Sequence, residues 1–354
     1  MAVTVGLDIG GTSVRAAVID TAKSKRVLRR FGEMPLPQGA VVAGEIVDDL
    51  AVAEALSALW KREKLSKKRV VVGTASQRLV VRQVDVPSMD DNELSEALPY
   101  QVQDFIPIGI EEAILQYVPL EDFVTPDGEP MRSILVVAVY RDIIDTLLSI
   151  TGKAGLTVEA IDLQAFALVR AVFGMTPAID NPLHAIVDIG SSVSQVVIAK
   201  GGQARFVRLL PRGGDDFTAA LRDGMSLEAA EADEMKRRIG VAPEGDGSQP
   251  EEDAEARRLL TRQADSLIEE VRGSVNFFLS QTGATRIERV VVSGNGARLP
   301  HLASRLGRAL DVSVVPAKVL DLVQIGRTGR TDEEILQAQP VLPTSVGLGL
   351  WKNL

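Results

Sequence analysis

Asp8 and Asp188 stand 180 residues apart, each at the end of an apolar run and each two residues before a glycine. Around the first, Val3 to Asp20 reads VTVGLDIGGTSVRAAVID: a strand-like run, Gly10-Gly11, hydroxyls at Thr12 and Ser13, then a second apolar run from Val14. Around the second, Ala185 to Ala199 reads AIVDIGSSVSQVVIA, in the same order, with Gly190 followed by Ser191, Ser192 and Ser194. Two β-rich runs joined by a glycine and hydroxyl turn predict a hairpin. The amides of such a turn form a concave nest for an anion, and neighbouring hydroxyls add donors. An aspartate at the strand end suits a hydrated divalent cation held through water. One such hairpin is explained as well by a plain turn with a satisfied aspartate. Two copies in corresponding contexts point to two related halves facing one phosphate-bearing ligand.

The elements that must position these turns come from a chain of 354 residues, long enough for two domains. An apolar content of 45% and a charged content of 25% are those of an ordinary globular protein. The absence of cysteine excludes disulfides and thiolate metal sites and fits a cytosolic setting. With His184 and His301 as its two histidines, the sequence also disfavours zinc and histidine-based catalysis. A net charge of -9 argues against a nucleic-acid partner. The chain enters Val3-Thr4-Val5 without a basic leader, so no signal peptide is expected, and no apolar run reaches the roughly 18 residues of a spanning helix.

Charge changes abruptly along the chain. Residues 1–82 carry 14 Lys or Arg against 8 acids, whereas residues 83–130 carry none against 12, which marks a separate module. In the first module the hairpin continues into a third strand by Met34. A helix follows, capped by Asp48 or Asp49 with Leu50, Ala53, Leu56, Leu59 and Trp60 on its apolar side, and then a buried strand over Arg69–Gly73. The acidic module, about 77–156, reads as α+β: a strand over 79–86, a helix from Asp90 or Asp91, a strand pair over 112–120 and 132–139, and a helix over 143–154. Its segment Phe105-Ile-Pro-Ile108 sets apolar residues beside the acids, as an interaction surface would.

Beyond it the pattern returns to α/β. A strand (158–161) and helix (163–173) lead into the second hairpin; a strand over 205–210 ends in a turn over 212–216. Ser226 is the expected N-cap of a charged helix over 227–239, residues 242–253 read as a loop, and 255–281 as a long helix. A strand over 289–293 runs into Gly294-Asn295-Gly296 and a helix through Leu302, Leu306 and Leu310. The apolar tail from Pro343 is expected to pack back on the first module.

The paired hairpins with the later VVVSGNGARLP resemble the actin, Hsp70 and sugar-kinase ATPase superfamily, whose phosphate 1, phosphate 2 and adenosine signatures occur here in that order. Within it, MPLPQGAVVAGEIVD, ALPYQVQDFIPIGIEEAILQY and LPRGGDDFT are similar to the type IV pilus assembly protein M (PilM) family, a relative of the cell-division protein FtsA. The resemblance implies an α/β, actin-like (ribonuclease H-like) two-domain ATPase fold with an inserted α+β subdomain. The divisions it implies are 1–76, 157–184 and 338–354 for subdomain 1A, 77–156 for the inserted 1C, 185–225 with 285–337 for 2A, and 226–284 for 2B.

The same resemblance implies ATP and Mg²⁺ as ligands. Gly10, Gly11, Thr12, Ser13 and Arg15 would hold the phosphates from one side, and Gly190, Ser191 and Ser192, with Gly213 and Gly214, from the other. Asp8 and Asp188 would hold Mg²⁺ through water. Asp233 and Lys236, three apart on one helical face, would lie near ribose and adenine, over Gly294, Asn295 and Gly296. Asn295 replaces the usual second glycine, a change a left-handed backbone tolerates, and Arg298 would stack on the base or cap the next helix. Gln164, at the start of the connecting helix, is the candidate that orients the attacking water, with slow or absent hydrolysis expected.

The implied partner is the short cytoplasmic N-terminus of a PilN-like inner-membrane protein, in a groove near residues 77–120 between 1A and 1C. Membrane contact would be indirect and the location cytoplasmic, at the inner membrane through that partner. No nucleic acid is expected, and self-association is left open. The competing readings are an FtsA-like filament-forming ATPase and, further off, a sugar kinase, which the lack of cysteine and the peptide-like insertion disfavour.

Overall fold

The computed structural model describes residues 3–22, 25–174, 182–243 and 253–351. Strands β1 (Val3–Ile9) and β2 (Ser13–Asp20) form the first hairpin, and β3 (Val27–Pro35) extends it antiparallel. A small hairpin of β4 (Val41–Val42) and β5 (Glu45–Ile46) precedes α1 (Asp49–Arg62). Asp48 caps that helix by accepting from the Ala51 amide, and Lys61 and Arg62 end it as the helix dipole favours. Leu50, expected on the buried side, is 65% exposed, because the helix turns Val52, Ala53, Leu56 and Leu59 inward instead. Strand β6 (Arg69–Thr74) then runs parallel to β1.

The acidic segment folds as a sheet of its own: β7 (Leu79–Pro87), β8 (Ala113–Val124) and β9 (Pro130–Tyr140) in the order β7-β9-β8, with α2 (Asp91–Val102) on one face. Asp90 caps α2 through the amides of Asn92 and Glu93. Ile106 and Ile108, expected at the surface, are buried in this small core, so Phe105, 53% exposed, is the apolar residue of that run left outside.

The chain returns through α3 (Arg141–Lys153), β10 (Thr157–Leu163), parallel to β6, and α4 (Gln164–Phe173). The second hairpin is β11 (Leu183–Ile189) and β12 (Ser194–Lys200), extended by β13 (Gln203–Leu210). Then come α5 (Gly214–Met225), α6 (Ala229–Ile239), α7 (Ala254–Thr282), β14 (Arg289–Ser293), α8 (Leu302–Leu310) and β15 (Ser313–Pro316). The stretch 212–216 is therefore the start of a helix rather than a turn: Asp216 reaches back to the Gly213 amide at 2.7 Å. Ser226 does not cap α6. It ends α5 in the left-handed region, φ 56°, and α6 begins after Glu228. The loop expected over 242–253 falls mostly on residues 244–252, outside the described residues, as do residues 352–354 of the tail.

Two sheets carry the halves. One runs β10-β6-β1-β2-β3-β16, where β16 (Gln324–Ile325) is a short edge; the other runs β13-β12-β11-β14-β15. Without β16 the two have the same order and directions: an antiparallel trio whose first strand in sequence, β1 or β11, pairs in parallel with a fourth strand, which pairs in parallel with a fifth. Central strands covered on both faces are buried along almost their whole length and mostly apolar, as β1, β2 and β12 are, with their polar residues gathered toward the strand ends. In the first half α1 and α3 cover one face. The other takes α4 and α10 (Leu342–Gly349), which follows α9 (Asp332–Ala338). Gly6 and Gly347 let α10 approach this closely: a Cβ on Gly6 would overlap the Ser345 carbonyl, and one on Gly347 the Ala167 carbonyl. In the second half α5 to α8 cover one face, while α4 and one face of the insertion's sheet share the other. Helix α4 is thus common to both halves. No helix among the described residues is long and apolar enough to cross a membrane.

Candidate functional site

The two hairpin turns meet at one cleft. Each closes with the same hydrogen bond, Gly10 N–H to the Ser13 carbonyl and Gly190 N–H to the Val193 carbonyl, both 3.0 Å. The turns touch: a Cβ on Gly11 would overlap the Ser191 hydroxyl. Thr12, Ser191 and Ser192 line the cleft, and their hydroxyls make no hydrogen bond among the described residues. Unspent donors converging from two glycine turns form an anion cradle.

Behind the turns stand the acids. Arg15, opposite Asp8 in the register, donates from Nη1 to Asp8 Oδ2 at 3.2 Å, while its Nε reaches Glu33 at 2.9 Å. Ser13 also donates to Glu33, at 2.7 Å, so its hydroxyl is turned away from the cleft. Burial raises the Asp8 carboxyl above its ordinary range, and Arg15 offsets part of this. Across the cleft, Asp188 accepts from the Ser293 hydroxyl at 2.5 Å through Oδ1. Burial, with a smaller push from the Asp8 charge, lifts Asp188 to about 6 against the pull of Ser293 and Arg15.

A bridge joins the two sides. Gln164, first residue of α4, donates from Nε2 to Asp8 Oδ1 at 3.0 Å and accepts from Gln195 Nε2 at 3.1 Å. Gly73 makes room for it, since a Cβ there would lie 2.9 Å from Gln164 Cγ. Sequence reasoning missed Gln195, although the signal was present: it faces Asp188 in the second hairpin as Arg15 faces Asp8 in the first.

Other expected residues stand behind the cleft instead of lining it. The amides of Gly214 and Asp215 donate to the carbonyls of Gly190 (2.9 Å) and Ser191 (2.8 Å), so the start of α5 buttresses the second turn. Gly213 must be glycine because a Cβ would overlap the Ser191 carbonyl. Lys236 pairs with Asp233 at 2.7 Å and donates to Thr218 Oγ1 (2.7 Å) and the Gly214 carbonyl (3.1 Å), which ties α6 to α5. Gly294 and Asn295 line the cleft. The left-handed backbone is at Gly294 (φ 85°) and not at Asn295, which opens a short 3-10 turn, so asparagine there carries no backbone penalty. Gly296 packs on Ile189, and Arg298 donates to the Gln337 carbonyl.

For a divalent cation the acids differ. Both Asp8 oxygens are engaged by protein, whereas Asp188 lines the cleft and its Oδ2 has no hydrogen-bond partner among the described residues. The set fits a cation held chiefly on the Asp188 side with water between it and Asp8. Among the described residues no group of three metal-binding side chains occurs.

A second concavity, of about 500 Å³ and mainly apolar, opens where the insertion meets both halves. The insertion supplies Tyr117 and Val118, α4 supplies Phe166 and Val169, the β12–β13 turn supplies Gln203, and the tail supplies Trp351. Gln203 Nε2 donates to the Pro119 carbonyl at 2.7 Å and Arg205 lies 3.6 Å from Glu121, so the insertion touches the second half here. Strand β8 is an edge of its sheet.

The chain is 22% identical over 336 residues to the cell division protein FtsA of Bacillus subtilis (strain 168), covering 85% of this chain and 75% of that protein. Among solved structures it is similar to the PilM-PilN type IV pilus biogenesis complex, with a TM-score of 0.85 at 23% identity over 98% of each chain. It is also similar to MreB5 of Spiroplasma citri bound to ADP, with a TM-score of 0.54 at 14% identity over 90% of this chain and 92% of that one. The fold is the actin-like ATPase fold. Residues 6–353 match the family model described as type IV pilus assembly protein PilM.

Proposed function

The chain belongs to the type IV pilus assembly protein PilM family, and from that premise we propose that it binds ATP with Mg²⁺ in the cleft and the N-terminal segment of a PilN-like partner in the apolar groove. The observation that carries the nucleotide part is the pair of glycine turns with unspent Thr12, Ser191 and Ser192 donors facing one another. MreB5 of Spiroplasma citri, solved bound to ADP, shares this fold. In this reading Gly10, Gly11 and Gly190 let the chain approach the phosphates, and Asp188, helped by Asp8 through water, holds the cation that neutralises them. Gly213, Gly214, Asp233 and Lys236 set the shape of the second turn, and Gly294 and Asn295 floor the nucleoside side. In this reading 1A is built around β1, 2A around β11, 2B over α6 and α7, and 1C over the insertion, while β16 and nearly all of α9, within the 285–337 span given to 2A, pack on the first half instead.

Hydrolysis is slow in this proposal because Gln164, the group available to orient water, is spent between Asp8 and Gln195. Turnover of purified protein should fall far below the roughly 10 s⁻¹ of an ordinary enzyme. Rapid turnover abolished by Gln164→Ala would show instead that Gln164 works on water.

For the partner, the groove offers an apolar lining and the part of the β8 edge before Pro119, which has no partner strand; these suit an extended apolar segment adding a strand. The acidic insertion suits basic residues at the membrane-proximal end of such a segment. Membrane association would then come through the partner, from the cytoplasmic side. The test is titration with a fluorescent ATP analogue and with a synthetic peptide copying the cytoplasmic N-terminus of the PilN-like protein. Gly11→Ala, whose methyl would force the Ser191 hydroxyl away, should abolish nucleotide binding while circular dichroism stays unchanged. Failure of the wild type to bind the analogue, or the peptide at tens of micromolar, would refute the respective half of the proposal.

A further inference from the structure

We infer that the pole of the first half opposite the cleft rests directly on a bilayer surface of anionic lipid headgroups, beside the indirect tether that the partner supplies. Residues 61–69 read KREKLSKKR and join α1 to β6. Lys61, Lys64, Lys67, Lys68 and Arg69 are all exposed, and none makes an ion pair among the described residues. The one acid of the run, Glu63, is spent on Arg62 (3.0 Å) and Arg330 (2.9 Å). The helix dipole accounts for Lys61 and Arg62 at the end of α1. Residues 64–69 lie beyond that end and gain nothing from it. Their loop is nevertheless fixed. The Leu65 amide donates to the Trp60 carbonyl at 3.0 Å, the Trp60 indole to the Lys67 carbonyl at 2.8 Å, and the Thr157 amide to the Lys68 carbonyl at 2.8 Å. Lys64 makes the turn in the left-handed region, φ 51°, and Leu65 packs on the core of the first half. Cations held this way meet a surface without the ordering cost of a flexible tail.

Position and charge separation select the ligand. Arg69 opens β6, and Thr74 at its other end lines both the cleft and the groove, roughly 17 Å away. The insertion, with 12 acids and no base over residues 83–130, departs from that far end. The separation exceeds the Debye length of about 8 Å at physiological salt, so a net charge of -9 leaves the field of the pole largely intact. Each Lys or Arg brought to an anionic bilayer strengthens partition by about 5-fold, and five together by about 10³-fold. The face is open, outside both concavities, and dominated by lysine, which meets headgroup phosphate as a point charge. Trp60, the aromatic residue beside it, is buried, so nothing there stacks on a nucleic-acid base. The partner proposed above brings the chain to a membrane, and on that point the inference rests on that reading; the charge of the face does not. With the pole on the bilayer, the groove stands roughly 17 Å above it, which about five extended residues of the partner segment span.

The test is sedimentation of the full chain, without any partner peptide, with vesicles of phosphatidylcholine alone or mixed with phosphatidylglycerol. Binding should occur on the anionic vesicles only and fall steeply as salt rises from about 0.05 M to about 0.3 M. The triple variant Lys64→Gln, Lys67→Gln, Lys68→Gln should lower partition by about 10²-fold, with thermal melting and binding of the ATP analogue unchanged. The control variant Lys200→Gln, Arg208→Gln, Arg286→Gln removes the same charge from exposed positions on the second half and should sediment as wild type does. Equal weakening in the two variants would show that net charge alone acts and would overturn the inference. Absence of binding to anionic vesicles, with the peptide still bound in the groove, would overturn it too and leave the proposed function standing. Vesicle binding without peptide binding would refute the proposed partner and keep the lipid contact. A duplex oligonucleotide bound more tightly than the vesicles, and released in the Lys64, Lys67 and Lys68 variant, would assign the face to nucleic acid and overturn the lipid reading.

Discussion

Asp188 shows how a residue that serves a ligand weighs on the empty protein. Its carboxyl is lifted to about 6, above the value of about 4 it has unfolded. The native state therefore holds more protons between those values, and stability is lost as pH rises through about 4 to 6. Asp188→Asn keeps an acceptor for Ser293 and removes the buried charge. It should melt higher than wild type at pH 7.5 by about 2–4 °C for each kcal/mol recovered, with the gain shrinking toward pH 4. The same variant should lose Mg²⁺-dependent nucleotide affinity, since the free Oδ2 is gone; calorimetry with and without Mg²⁺ reads this. Sequence reasoning reached both acids and both turns because strand, acid and glycine stand in fixed order. It could not see that Glu33, on a third strand, takes up Ser13 and Arg15, because a partner across a sheet leaves no local mark.

At the scale of elements, two helices with an aspartate cap were legible: of Asp48 or Asp49 and of Asp90 or Asp91, the first of each pair begins α1 and α2, whereas α9, capped by Thr331, was not read. The start of α5 was not, since Gly-Gly-Asp-Asp has turn composition and becomes helical only where its amides meet the Gly190 and Ser191 carbonyls. Ser226 followed from that error, and it offers a discriminating measurement. As an N-cap its loss would cost about 0.5–2 kcal/mol. As the left-handed end of α5, Ser226→Gly should instead stabilise by roughly 0.5–1 kcal/mol in urea denaturation. The strands β4, β5 and β16, each two residues long, were missed because so short a run has no periodicity to read. Packing gives a further prediction: Gly347→Ala drives a methyl into the Ala167 carbonyl and should destabilise by about 1–3 kcal/mol, read as a lower urea midpoint.

The whole molecule is two sheets of one design, a helix common to both, and an insertion seated across them. Its two tryptophans report on different parts: Trp60 is on the buried face of α1 and bonded to the Lys67 carbonyl, whereas Trp351 lines the groove. In a Trp60→Phe background the PilN-like peptide should shift the remaining emission, and in a Trp351→Phe background it should not. The seating of α10 has a consequence for synthesis. The strands of the first sheet leave the ribosome early, yet the helix that fills one of its faces is encoded at 342–349, after the whole second half. During translation that apolar face, Ala17, Ile19 and Phe31 among it, stays uncovered until nearly all the chain has emerged. The nascent first half is then a holdase client by construction, and the second half, whose sheet and helices are contiguous in sequence, is free to fold before the part that precedes it.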